Sequence, residues 1–176
     1  AEASQLLYQF TSGKQRNRLT PSGNIERFRG NPWYLLALTT GNSSIIERVS
    51  MAKTMPKAEA QRVLECYVPS TKHLLPSLAE GYKFEAAVKK EQFGTAGVAF
   101  VQYVMNNLEE VKVLCERVKT RVDELGKLEA ENRFWSAHIS ASMAGTMVGK
   151  RAGLINYDSK KLFNWVVKEL IPQNKR

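Results

Sequence analysis

Aspartate and histidine are nearly absent from this chain of 176 residues: Asp123 and Asp158 are its aspartates, His73 and His138 its histidines. A Ser–His–Asp hydrolytic site therefore has almost nothing to draw on, and a metal centre fails on the same inventory. His138 falls in a helical stretch and reads as a core or boundary residue rather than a general base. Cysteine is equally scarce. Cys66 and Cys115 stand alone, without a CxxC pair or a histidine at ligand spacing. That excludes a disulfide scaffold and favours reduced thiols in a cytoplasmic setting. No run of apolar residues reaches bilayer length, and the first residues lack a signal-peptide pattern, so no membrane partner is expected. Internal repeats and low-complexity tracts are missing too.

Negative charge is also in short supply. Seventeen acidic residues face 26 lysines and arginines, which leaves a net charge of +9 and a pI near 9.6. Such an excess favours a polyanionic partner. The apolar and charged fractions, 43% and 24%, are otherwise those of an ordinary globular chain with room for a real core.

Along the chain, residues 1–10 read as a short helix. "RNRLTPSGNIERFR" has the layout of a β-hairpin turning at Pro21, Ser22, Gly23 and Asn24. "WYLLALTT", Trp33 to Thr40, is a nearly continuous apolar run, the pattern of a strand covered on both faces. A helix is expected to start near Ser43 or Ser44, and "RVLECYV" offers a second strand. From about Phe84 the pattern is helical almost throughout. Leu108, Val111, Cys115, Val118, Val122 and Leu125 form an apolar seam closed by Gly126. Ala141, Ala144, Gly145 and Gly149 suit the close approach of a neighbour. Asp158 or Ser159 caps a last helix that Pro172 ends. The predicted fold is thus α/β in the N-terminal third, part of a larger sheet with a basic β-hairpin, then mainly α-helical and predominantly α overall. The predicted division is 1–70, a partial α/β segment, and 71–176, a helical domain. One or two buried strands cannot satisfy their own backbone groups, so a larger sheet would need members from elsewhere.

The strongest chemical signal is a basic ribbon. Lys14, Arg16, Arg18, Arg27 and Arg29 flank the expected turn, with Glu26 opposing them. Alternate residues of a hairpin share a face, which would align Arg16 with Arg18 and Arg27 with Arg29 against phosphates. The bland alternative is a solvated segment. "SGK" at Ser12–Lys14 is no phosphate loop: position 8 is tyrosine where that motif needs glycine, and Gln15 stands where it needs serine or threonine. Thr39, Thr40 and Asn42 sit where an α/β sheet gathers ligands, although capping of the next helix by Asn42 or Ser43 is the simpler reading. Arg62, taken alone, is unremarkable.

The order "SGKQR", "TTGNSSI", "PKAEAQRVLE", "FGTAGVAFVQYV" and "NRFWSAHISASMAG" resembles the C-terminal half of the helicase-like ATPase domains of phage and plasmid primase–helicase proteins. That resemblance implies a DNA-gripping hairpin at Lys14–Arg29 and single-stranded DNA as partner. It further implies Asn42 as a sensor of the γ-phosphate and Arg62 as an arginine finger reaching a neighbouring subunit. Arg133 would match a second, cofactor-binding sensor arginine. The Walker elements would lie before Ala1, so ATP and magnesium enter only with an N-terminal ATPase segment or partner chain, in a homo-oligomeric ring. The alternative is a small, basic, mostly helical nucleic-acid-binding or adaptor protein without nucleotide chemistry. A third reading pairs the 108–125 seam with a helix of another chain.

Overall fold

The computed structural model describes residues 2–14, 23, 31–33, 37–52, 57–68, 77–89 and 94–175. The chain divides into two compact units, Ala1–Glu65 and Cys66–Arg176.

Among the described residues the first unit holds three helices: α1 (Glu2–Ser12), α2 (Ile45–Ala52) and α3 (Lys57–Ala60). Leu7, Ile46, Val49, Ala60 and Val63 converge between them, with Val49 almost fully buried. Helix α2 starts where the sequence places it. Ser44 is the N-cap, its hydroxyl accepting from the Glu47 N–H at 3.0 Å. A second acceptor arrives from far along the chain: the Glu65 carboxylate takes the N–H groups of Ile45 and Ile46 at 2.7 and 3.2 Å and the Ser44 hydroxyl at 2.8 Å. Three donors at the head of α2 are thereby satisfied, and a negative charge meets the positive end of the helix dipole.

The expected α/β third is not observed. Among the described residues there is no strand and no sheet. Ala37–Thr40, the end of the expected first strand, is exposed irregular chain, with Leu38 93% accessible. The physical reason lies in what a strand apolar on both faces needs: neighbours to pair its backbone groups, and among the described residues no partner strand stands beside "WYLLALTT". The second expected strand also has no ladder. Arg62 and Val63 are still turning out of α3, donating to the carbonyls of Glu59 and Ala60 at 3.0 and 3.1 Å, and Glu65 is committed to α2. The expected hairpin spans residues that lie, but for Gly23, outside the described ones.

The second unit comprises α4 (Leu78–Lys89), α5 (Thr95–Asn106), α6 (Leu108–Gly126), α7 (Arg133–Arg151), α8 (Ser159–Trp165) and α9 (Ile171–Asn174). A 3-10 turn, Ala130–Asn132, precedes α7, and a π-helical segment, Val166–Leu170, joins α8 to α9 into one rod. Its core is the packing of α6 on α7, closed by the rod: Leu114, Val118 and Val122 meet Trp135, Ile139, Met143 and Val148, with Val166, Leu170 and Ile171 on top.

The buried row of α6 is Leu114–Val118–Val122–Gly126, at four-residue spacing. Cys115 and Leu125 of the expected seam face solvent, and Leu108 is half exposed. Gly126 does close the row, for a reason other than backbone freedom. A Cβ there would fall 2.7 Å from Ile171 Cδ1, while the left-handed residue is its neighbour Lys127, at φ 48°. Lys127 and Leu128 complete the helix end by donating to the carbonyls of Glu124 and Asp123, and Lys175 Nζ seals it with bonds to the Gly126 and Lys127 carbonyls. On α7, Ala144 and Gly149 are buried as expected, with Gly149 close to Ile155, but Ala141 is exposed and Gly145 has open space beside it.

Asp158 caps α8, its Oδ1 accepting from the N–H groups of Lys160 and Lys161 at 2.9 and 3.1 Å. These bonds, that of Lys161 first, hold its carboxyl below the usual range. Pro172 does not end the helix. It follows a π turn in which Ile171 N–H reaches back five residues to the Val166 carbonyl, so the widened segment absorbs the donor that proline lacks.

Candidate nucleic-acid interface

Of the five cations assigned to the basic ribbon, Lys14 is described; Arg16, Arg18, Arg27 and Arg29 lie outside the described residues. What the structure does define is how that ribbon leaves and rejoins the fold. Helix α1 ends at Ser12, and Gly13, which follows it, has φ +64°. The Trp33 N–H donates to the Gly13 carbonyl at 2.9 Å, and the Trp33 indole Nε1 donates to the Phe10 carbonyl at 3.1 Å. Both bonds land on carbonyls at the C-terminal end of α1, which has no helical partners for them. The clasp requires glycine twice over: the backbone is left-handed, and a Cβ would stand 2.7 Å from the Trp33 carbonyl oxygen. Residues 14–32 therefore leave and return at one point. Lys14 itself is exposed at the departure point, its N–H 3.4 Å from the Ser12 hydroxyl.

Asn42 is exposed, two residues ahead of the cap that Ser44 supplies to α2. Arg62 belongs to the same unit and is engaged within it. Its guanidinium lies over the Tyr8 ring, 4.2 Å from the centroid. Its Nε donates to Thr11 Oγ1 at 3.1 Å, and its Nη1 donates to the Ala58 carbonyl. These contacts tie α1 to α3. Arg133 starts α7 in the other unit, exposed, 5.1 Å from the centroid of the Phe134 ring.

A further concentration of positive charge, at the turn from α7 to α8, was not singled out in the sequence. Lys150 and Arg151 end α7, and Lys160 and Lys161 open α8. Arg151 is paired with Glu110 at 2.5 Å. Lys150 reaches the Tyr157 carbonyl at 3.5 Å, and Tyr157 Oη sits 3.0 Å from Thr146 Oγ1. Lys160 and Lys161 make no ion pair among the described residues, although the Asp158 carboxylate, whose Oδ1 takes their backbone N–H groups, also feels the charges of Lys161 and Lys150. The signal was present as "KRAGLINYDSKK", but its basic pairs are separated by eight intervening residues and are joined only through the turn. The basic residues of α6, by contrast, are largely offset within one helical turn, as in Lys112–Glu109, Lys119–Asp123 and Arg121–Glu124.

His138 is half-buried on α7, and burial lowers its pKa from 6.5. Both cysteines are free and exposed. Among the described residues no group of histidine, cysteine, aspartate and glutamate could hold a metal ion, and no helix is long and apolar enough to cross a membrane. No protein-family model, curated protein or solved structure matches this chain.

Proposed function

We propose that this chain is a basic, mostly helical nucleic-acid-binding adaptor that works without nucleotide chemistry, with single-stranded nucleic acid held by Lys14, Arg16, Arg18, Arg27 and Arg29. The observation that supports it is the clasp of Trp33 on Gly13, which gathers a segment carrying five cations and one carboxylate onto a single anchored base. Cations held in a short chain segment of fixed ends neutralise neighbouring phosphates together, and each neutralised phosphate adds salt-dependent affinity. The unpaired lysines at the α7–α8 turn add a second source of positive potential.

The helicase-fragment reading, with Asn42 and Arg62 in ATP chemistry and Arg133 at the cofactor, leaned on a sheet in the first third. No sheet forms among the described residues, and the Arg62 guanidinium is already engaged by Tyr8, Thr11 and Ala58. The adaptor reading needs neither.

The test is a salt titration of single-stranded DNA binding, wild type against Arg16→Glu/Arg18→Glu, with and without ATP and magnesium. A steep slope that flattens in the variant, indifferent to ATP, supports the reading. An affinity unchanged by the charge reversal removes the basic segment from the interface. An ATP-dependent affinity lost in Arg62→Ala restores the motor reading.

A further inference from the structure

Of residues 127–175, the large apolar side chains left exposed are Tyr157, at 45%, and Trp165, at 39%, and both are aromatic. Both also stand beside lysines. Tyr157 lies in the turn from α7 to α8, its hydroxyl 3.0 Å from Thr146 Oγ1 and its carbonyl 3.5 Å from Lys150 Nζ, so the ring is tethered to α7 while nearly half of it meets water. Trp165 follows Lys161 by four residues on α8, the spacing of neighbours on a helix surface. Among the described residues no cation lies over either ring, whereas Arg62 covers Tyr8 and Arg133 approaches Phe134. The charge around them is positive: Lys150, Lys160 and Lys161 outweigh the Asp158 carboxylate, and Glu110 neutralises Arg151.

We infer that this corner is a stacking site for single-stranded nucleic acid, in which Tyr157 and Trp165 take bases and Lys150, Lys160 and Lys161 take phosphates. It rests on the nucleic-acid binding proposed above and adds a second point of contact, in the other unit of the chain. Charge and ring chemistry together select the occupant. An aromatic face stacks on any base, and a lysine beside it neutralises the adjoining phosphate. An anionic membrane calls instead for a continuous apolar face to sink among the acyl chains. On α8 that face is turned inward: Leu162 and Phe163 are half-buried and the following Val166 is buried, while Lys160, Lys161 and Asn164 are exposed. An acidic peptide would answer the lysines and leave the rings idle. Paired bases stack on one another, so a duplex would be held through its phosphates alone.

Fluorescence-anisotropy titrations of the full chain, with a labelled oligothymidylate and an abasic strand of equal length, test this. The wild type binds the oligothymidylate roughly tenfold tighter than the abasic strand. Trp165→Ala and Tyr157→Ala each weaken oligothymidylate binding about fivefold or more and leave abasic binding within about twofold. Trp165→Phe and Tyr157→Phe keep a ring and recover most of the affinity. Lys160→Ala/Lys161→Ala lowers the salt slope by about 1.4, at ~0.7 for each phosphate on a single strand. Both lysines are exposed and only their backbone is capped, so this variant reads the site even where an alanine at Trp165 disturbs the helix, which circular dichroism reports. Oligothymidylate affinity unmoved by all the alanine variants overturns the inference; if Arg16→Glu/Arg18→Glu still weakens binding, the basic segment keeps its role. Aromatic variants that shift both strands equally also overturn it, leaving a plain cationic surface. So does binding to vesicles of phosphatidylserine and phosphatidylcholine that Trp165→Ala abolishes while oligothymidylate affinity holds. A wild type that binds neither strand overturns the inference and the proposed function together. Loss in the aromatic variants with indifference to Arg16→Glu/Arg18→Glu upholds this site and removes the basic segment.

Discussion

Arg62 and Tyr8 stack at 4.2 Å, a cation over an aromatic face, and through this contact the end of α3 holds α1 in place. The same guanidinium bonds Thr11 and the Ala58 carbonyl, so it acts as a three-way tie inside the first unit. Arg62→Ala is expected to destabilise that unit by roughly 1–2 kcal/mol, the sum of a partly exposed cation–π contact and a hydrogen bond. Arg62→Lys recovers only part of it, because an ammonium cannot stack and donate from a fixed planar fork. Urea denaturation followed by circular dichroism reads both.

Neighbouring positions at the end of α6 are expected to respond with opposite sign. Lys127→Gly relieves a left-handed backbone and should raise stability by about 0.5–1 kcal/mol. Gly126→Ala drives a methyl group to 2.7 Å from Ile171 Cδ1 and should cost roughly 1–3 kcal/mol. Thermal melts of the two variants, compared with wild type, decide this.

Ser136 and Ser140 are buried on α7, and their hydroxyls find no hydrogen-bond partner among the described residues. A buried donor without an acceptor costs on the order of 1 kcal/mol or more. Ser136→Ala and Ser140→Ala should each stabilise the protein, which would show as a higher urea midpoint at unchanged slope.

Burial holds the pKa of His138 below 6.5. The unfolded state therefore binds the proton more readily, and stability rises with pH wherever that difference operates. The contribution of the neutral imidazole is complete above 6.5 and is lost as pH falls through the lower, folded value. His138→Gln should flatten this part of the melting-temperature profile below about pH 6.5 while leaving the profile above it unchanged.

How much of this could be read beforehand depended on the range of the interactions involved. Asp158 and Ser44 announced their helix starts because a cap is decided within three residues. The register of α6 was half legible: Leu114 and Cys115 both fit a helical period, and only the approach of α7 chooses Leu114. Gly126 was recognised as special but for the wrong property, since sequence does not reveal that Ile171 comes to rest against it. In the first third, an apolar run and a Val-rich run both suggested strands. What overruled the second was tertiary: Glu65 is drawn to the head of α2 from twenty residues away, and no spacing rule reports that. The basic segment was conspicuous from composition alone, whereas the Gly13–Trp33 bond at its base depends on a contact across residues 14–32.

That bond has a consequence for how the protein can change over time. Where a stretch of chain departs and returns at a single point, its length is nearly free: doubling it adds only about 0.6 kcal/mol of closure entropy. Changes of length between Gly13 and Trp33 that keep those two residues are therefore expected to keep the bond between them. Gly13 and Trp33 thus act as a fixed mount for whatever length of chain joins them, and exchange of either one, rather than a change in the length between them, is what should loosen the end of α1.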